Sequence, residues 1–103
     1  MKTPNSLELQ LLAVLDDRPR HGYSLREELR RRSAGASDPL PGTLYPLLRR
    51  LESSGLVASD WQAGPRRQRR VYRLTAAGSR DLDRRLREWV LFVGTVTNVI
   101  GGG

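Results

Sequence analysis

Most of the chemistry this chain could perform is concentrated between Pro41 and Leu56. That stretch reads as a short helix with leucines at 44, 48 and 51 on one face and Tyr45, Arg49 and Arg50 on the other. Thr43 and Pro46 stand in its opening turn. A guanidinium can bridge guanine O6 and N7, while threonine and tyrosine hydroxyls suit phosphates or base edges. One apolar side to anchor the helix and one aromatic, basic side to present it are what a DNA-reading element needs. The plainer reading leaves Tyr45 half-buried and the arginines as ordinary surface, with Arg50 pairing to Glu52 or Asp60. The basic segment that follows favours DNA contact.

That segment carries most of the charge. The net charge is +7 and arginine supplies nearly all of it, Lys2 being the sole lysine. Between Trp61 and Arg73 stand Arg66, Arg67, Arg69, Arg70 and Arg73 with no acidic residue among them. Such a block attracts polyanions, through phosphates or an adjacent minor groove. Arg80, Arg84, Arg85 and Arg87 alternate instead with Asp81, Asp83 and Glu88, the pattern of a solvated helix face.

Other chemistries find little support. There are no cysteines, so thiolate metal sites, disulfides and thiol nucleophiles drop out together. His21 is the only histidine and has no partners for a metal or catalytic role. It reads as structural, helping the turn into a helix whose first amides could meet a phosphate. No hydroxyl has a nearby base and no carboxylate pair suggests a cleft, so the chain does not read as an enzyme and no cofactor or metal is expected. No apolar run approaches the roughly 20 residues that span a bilayer, and the N-terminus lacks a signal-peptide pattern, so no membrane association and a cytoplasmic location are expected.

The elements that must position these residues follow from spacing. A first helix is expected over residues 4–16, with Pro4 in its first turn and Leu7, Leu11, Leu12, Val14 and Leu15 at helical intervals. With Leu9 and Ala13 these cover more than one stripe, which suggests a second surface pressed against something else. A second helix is expected over 22–33, burying Tyr23, Leu25 and Leu29 and ending in Arg30, Arg31 and Arg32. Residues 34–40 form a loop. The third helix is expected to begin near Thr43, so that Pro46 falls in the first turn, and to stop at Gly55.

Residues 56–61 and 69–74 read as a hairpin around Gly64-Pro65, with Tyr72 and Leu74 inward and Arg73 outward. Thr75 caps a last helix running to about Ile100, roughly 37 Å long. Within it Leu82, Leu86, Trp89, Val93, Val96 and Ile100 are spaced 4, 3, 4, 3, 4, a coiled-coil seam that needs a partner. The expected fold is therefore mainly α with a small β wing: a winged helix-turn-helix over 1–75, a dimerisation helix over 76–100 and a glycine tail over 101–103. The dimer would bury the seam together with Leu7 and Leu11.

The residues also resemble a known family. Leu7-Glu8-Leu9, His21-Gly22-Tyr23, Pro41-Gly42-Thr43-Leu44-Tyr45-Pro46, Arg50-Leu51-Glu52, Gly55-Leu56 and Tyr72-Arg73-Leu74-Thr75-Ala76-Ala77-Gly78 look like the PadR family of bacterial transcriptional regulators. The resemblance spans nearly the whole chain and is similar to the family's short branch with one C-terminal helix. It implies a homodimeric regulator, usually a repressor, on double-stranded DNA bearing a palindromic operator. Thr43, Tyr45, Pro46, Arg49, Arg50, Arg66, Arg67, Arg69 and Arg70 are the expected DNA contacts. It also implies that Trp89, beside Phe92, can stack on a small aromatic effector between subunits; the minimum claim is a packed interface without one. Leu40 stands where a polar residue often precedes the signature proline, and the wing is richer in arginine than usual. The competing assignment is a winged-helix protein-interaction module whose basic wing meets an acidic partner.

Overall fold

The computed structural model describes residues 6–65 and 68–102. In chain order it contains α1 (Ser6–Asp17), β1 (Arg20–His21), α2 (Gly22–Arg32), α3 (Pro41–Ser53), β2 (Val57–Gln62), β3 (Arg69–Leu74) and α4 (Ala76–Ile100). The strands form one antiparallel sheet in the order β1-β3-β2. Pro4, the expected first-turn proline, lies outside the described residues.

The leucine surplus of α1 is consumed inside the chain. Leu11 and Leu12 have no exposed surface, and Val14 and Leu15 are nearly as enclosed, because α1 packs against α2, α4 and β3 at once. A helix covered on several sides needs more than one apolar stripe. This corrects the expectation that Leu11 serves a subunit interface: it cannot fill this core and offer area to a second chain. Leu82 is corrected likewise, being buried in the same cluster. Leu7 is partly buried at the margin of the core.

In α2, Leu25 and Leu29 are buried as their spacing requires, but Tyr23 is 68% exposed. It stands just after β1, a strand that the spacing does not predict. Arg20 and His21 pair with Tyr72 and Val71, setting the direction from which α2 leaves the sheet. A two-residue strand is too short to show alternation.

Helix α3 begins earlier than expected. Leu40 is its N-cap, its carbonyl accepting from the amides of Thr43 and Leu44 at 2.9 Å each, and Pro41 occupies the first helical position. Pro46 is therefore in the second turn and removes the amide that would have met the Gly42 carbonyl. Because residues 41–43, 45 and 46 are all exposed, the unmet carbonyl lies on the solvent side. Leu44, Leu47, Leu48 and Leu51 bury the other face. Gly55, at φ 78°, closes the helix, with the Leu56 amide reaching the Leu51 carbonyl at 3.0 Å.

Thr75 ties the end of α3 to α4. Its hydroxyl donates to the Gly55 carbonyl at 2.6 Å and accepts from the Gly78 amide at 3.0 Å, while its own amide meets the Leu56 carbonyl at 3.1 Å. Gly78 sits so close that a β-carbon there would collide with that Leu56 carbonyl. A second tie comes from the Glu8 carboxylate of α1, which accepts from Arg85 of α4 at 2.7 Å.

Candidate nucleic-acid interface

Thr43, Tyr45, Pro46, Arg49 and Arg50 all lie on the exposed side of α3, opposite its leucines. They are not equally free. Arg50 pairs with Glu8 at 3.6 Å, a partner from α1 rather than the Glu52 or Asp60 that proximity in sequence suggests. Arg49 has no carboxylate within ion-pairing distance among the described residues, so its guanidinium is available to an outside anion.

Tyr45 is held in place by the start of α2. Its ring lies so near Gly22 that a β-carbon on that glycine would come within 2.5 Å of the phenol oxygen. Only a residue without a side chain lets the tyrosine rest there. The ring remains 36% exposed, one side seated and one side presented. His21 is the N-cap residue of α2 without a side-chain capping bond; its backbone belongs to β1, and it shares a concave surface with Tyr23 and Tyr45.

The wing arginines divide into two kinds. Arg69 is exposed with no described carboxylate in range. Arg70 is engaged: it donates to Ser59 Oγ at 2.8 Å, approaches Glu52 of α3 at 3.7 Å and stacks on Trp61 at 5.1 Å from the ring centroid. Arg73 points outward, as alternation requires, but pairs with Asp60 at 3.6 Å. The acid-free stretch in the sequence is thus partly neutralised by acids from the paired strand and from α3. Arg66 and Arg67, also expected to contact DNA, lie outside the described residues.

Titration behaviour follows the ion pairs. Glu28 of α2 is lowered to about 2 by hydrogen bonds from Arg31 and Arg32. Burial works to raise Asp81, yet hydrogen bonds from Arg84 and Arg85 outweigh it and hold the carboxyl below its usual value. Burial pushes the Tyr72 phenol up from its ordinary value. Among the described residues no cluster of His, Asp and Glu has the arrangement of a metal site, and no helix is long and apolar enough to cross a membrane.

Along α4, Leu86, Val93, Val96 and Ile100 of the expected seam are exposed, and Trp89 packs partly against the core. Trp89 and Phe92 contact each other with centroids 5.8 Å apart and planes at 34°. Val90, Leu91 and Val99, off the seam, are exposed as well. The apolar surface is therefore broader than a two-helix seam.

A helical core, a recognition helix with one polar exposed face and an adjoining two-stranded wing define the winged helix-turn-helix class of DNA-binding proteins. Residues 11–84 match the Transcriptional regulator PadR-like family. The chain belongs to that family, whose members are regulators that bind DNA rather than enzymes. It is 44% identical to Transcriptional regulator Rv3488 of Mycobacterium tuberculosis over 85 residues, 81% of this chain and 77% of that one. A PadR family transcriptional regulator from Eggerthella lenta superposes with a TM-score of 0.78 at 35% identity, covering 92% of this chain and 88% of its own. A transcriptional regulator from Clostridium thermocellum shares the fold with a TM-score of 0.84 at 23% identity, over 89% and 90% of the two chains.

Proposed function

We propose that this regulator is a cytoplasmic homodimeric repressor that reads an inverted-repeat operator with two copies of α3. The observation that carries the reading is the exposed face of α3, with Thr43, Tyr45, Pro46 and an Arg49 that has no carboxylate partner among the described residues, together with Arg69 of the wing, which shares a groove with Tyr45. Dimerisation is supported by the exposed apolar side chains of α4, with Leu86, Trp89, Val93, Val96 and Ile100 as interface residues and Leu7 at its edge. Area of this kind on a single chain calls for a partner. Repression rests on the family resemblance. A flat aromatic effector, stacking on Trp89 and Phe92 between subunits, is the ligand class that ring pair would take.

The decisive experiment is selection of duplexes from a random pool by the purified protein at moderate salt. The expected product is an inverted repeat with half-site centres about 34 Å apart, one turn of B-DNA. Recovery of unenriched sequence would overturn the proposal. The effector is tested separately by titrating aromatic compounds against Trp89 emission in a Trp61→Phe background.

A further inference from the structure

Between the start of α2 and the wing runs a groove of about 600 Å³, continuous with the α3 face through Tyr45. Its walls include Tyr23, Tyr45, Trp61 and Tyr72, with Arg69 and Arg70 on the wing side and no carboxylate among the lining residues. We propose that the groove is a backbone clamp: the sugar–phosphate chain of one DNA strand runs through it, gripped by Tyr23 on one side and by Trp61 and Arg69 on the other. This rests on the DNA-binding reading above and adds two contact residues to it.

Three observations carry the assignment. Tyr23 and Trp61 are 68% and 61% exposed, too open for the walls of a small-molecule site, which encloses most of its ligand. What covers them must bring its own bulk, as a duplex does. The chemistry is that of a backbone: phenol O–H, indole N–H and guanidinium donate to phosphate, while the ring faces pack on deoxyribose. Finally, Trp61 is braced from below. Arg70 stacks against it and is itself held by Ser59 and Glu52, so one face of the indole is supported before DNA arrives. Arg70 thus acts through Trp61, as a positioning residue.

The test compares wild type with Tyr23→Phe, Tyr23→Ala and Trp61→Ala on a duplex selected by the wild-type protein and on a scrambled duplex of equal length. Both exposed positions tolerate substitution without loss of core. Each alanine variant is expected to weaken both duplexes by the same factor, about five- to twentyfold, leaving their ratio unchanged. One neutral methylphosphonate at the clamped phosphate should abolish the difference between wild type and Tyr23→Phe. Unchanged affinity in both alanine variants, while Tyr45→Ala still erases the preference, would overturn the clamp and leave the DNA-binding reading standing. A collapsed ratio would make these residues base readers and overturn it too. Micromolar, saturable displacement of DNA by a deoxynucleoside monophosphate would show a small-ligand pocket instead. A wild-type protein without preference between the duplexes brings down the underlying reading and the clamp with it.

Discussion

The phenol ring of Tyr45, on the recognition helix, rests against Gly22 at the start of the preceding helix, at a distance that excludes any side chain there. The two residues are far apart in sequence, and each explains the other. The glycine exists to seat the ring, and the seated ring presents its free edge beside Arg49. Substituting Gly22→Ala should cost about 1 kcal/mol or less of stability, because the partly exposed ring can swing aside to admit a methyl group. It should also weaken operator binding. Denaturant unfolding and fluorescence anisotropy would read the two effects; no change in either would show that the seat is dispensable.

Two other glycines should respond in opposite directions. At Gly78 an added β-carbon meets the backbone carbonyl of Leu56, which cannot rotate away. Gly78→Ala is therefore expected to destabilise by about 3 kcal/mol or more. At Gly42 nothing lies within 4 Å of the added atom. Gly42→Ala should leave the fold intact or stabilise it by up to about 1 kcal/mol. Thermal melts of the two variants side by side provide the check.

The split among wing arginines predicts different salt behaviour. Arg69, which has no carboxylate partner among the described residues, should neutralise one phosphate, so Arg69→Ala should reduce the slope of log K against log salt by about 0.9. Arg70 already serves Glu52, Ser59 and Trp61. Arg70→Ala should lower affinity while leaving that slope nearly unchanged. Equal slopes in the two variants would remove the distinction.

Dimerisation through α4 predicts that a charge on its apolar strip separates the subunits. Val93 and Val96 are partly exposed and lie beyond the core, so Val93→Asp with Val96→Asp should leave the protomer folded. Sedimentation at micromolar concentration should then find single chains, and specific DNA affinity should fall at least tenfold as the two half-sites become independent. A dimer that survives both substitutions would place the interface elsewhere.

Acid stability should depend on Glu28. Its folded-state value of about 2, against an ordinary 4.5, means that its contribution is present above about 4.5 and is lost as pH falls toward 2. Asp81, also lowered, adds to the same limb. Urea midpoints should decline across this window in the wild type, and Glu28→Gln should flatten the decline. An identical acid limb in the variant would show that Arg31 and Arg32 hold the carboxylate equally well in the unfolded chain.

Much of the scaffold was legible in the residues. The Thr75 cap, the Gly55 stop, both wing strands and the extent of α4 were recovered within a residue or two, because each rests on hydrogen bonds or dihedrals set by near neighbours. The opening of α3 was misjudged for an instructive reason. Pro46 has two lawful explanations, an early start with one lost bond or a late start with none, and Leu40, an apolar N-cap, gives no polar capping signal to choose between them. Of the proposed DNA-facing surface, spacing marks the residues of α3 and the wing, but it places Tyr23 inside and gives Trp61 no role, because the exposure of both depends on how α2 meets the sheet.

The chain alone determined every element but β1, the polar face of α3, the basic segment and the apolar repeat of α4, since helical and strand periods are local properties that spacing records. Tertiary structure decided which of those residues remain available. Leu11 and Leu82 are spent on the core, Arg70 on Glu52, Arg73 on Asp60, and Arg50 and Arg85 on Glu8. Burial and charge pairing depend on what the fold brings within a few ångströms, and partners from other elements leave no periodic trace in the sequence.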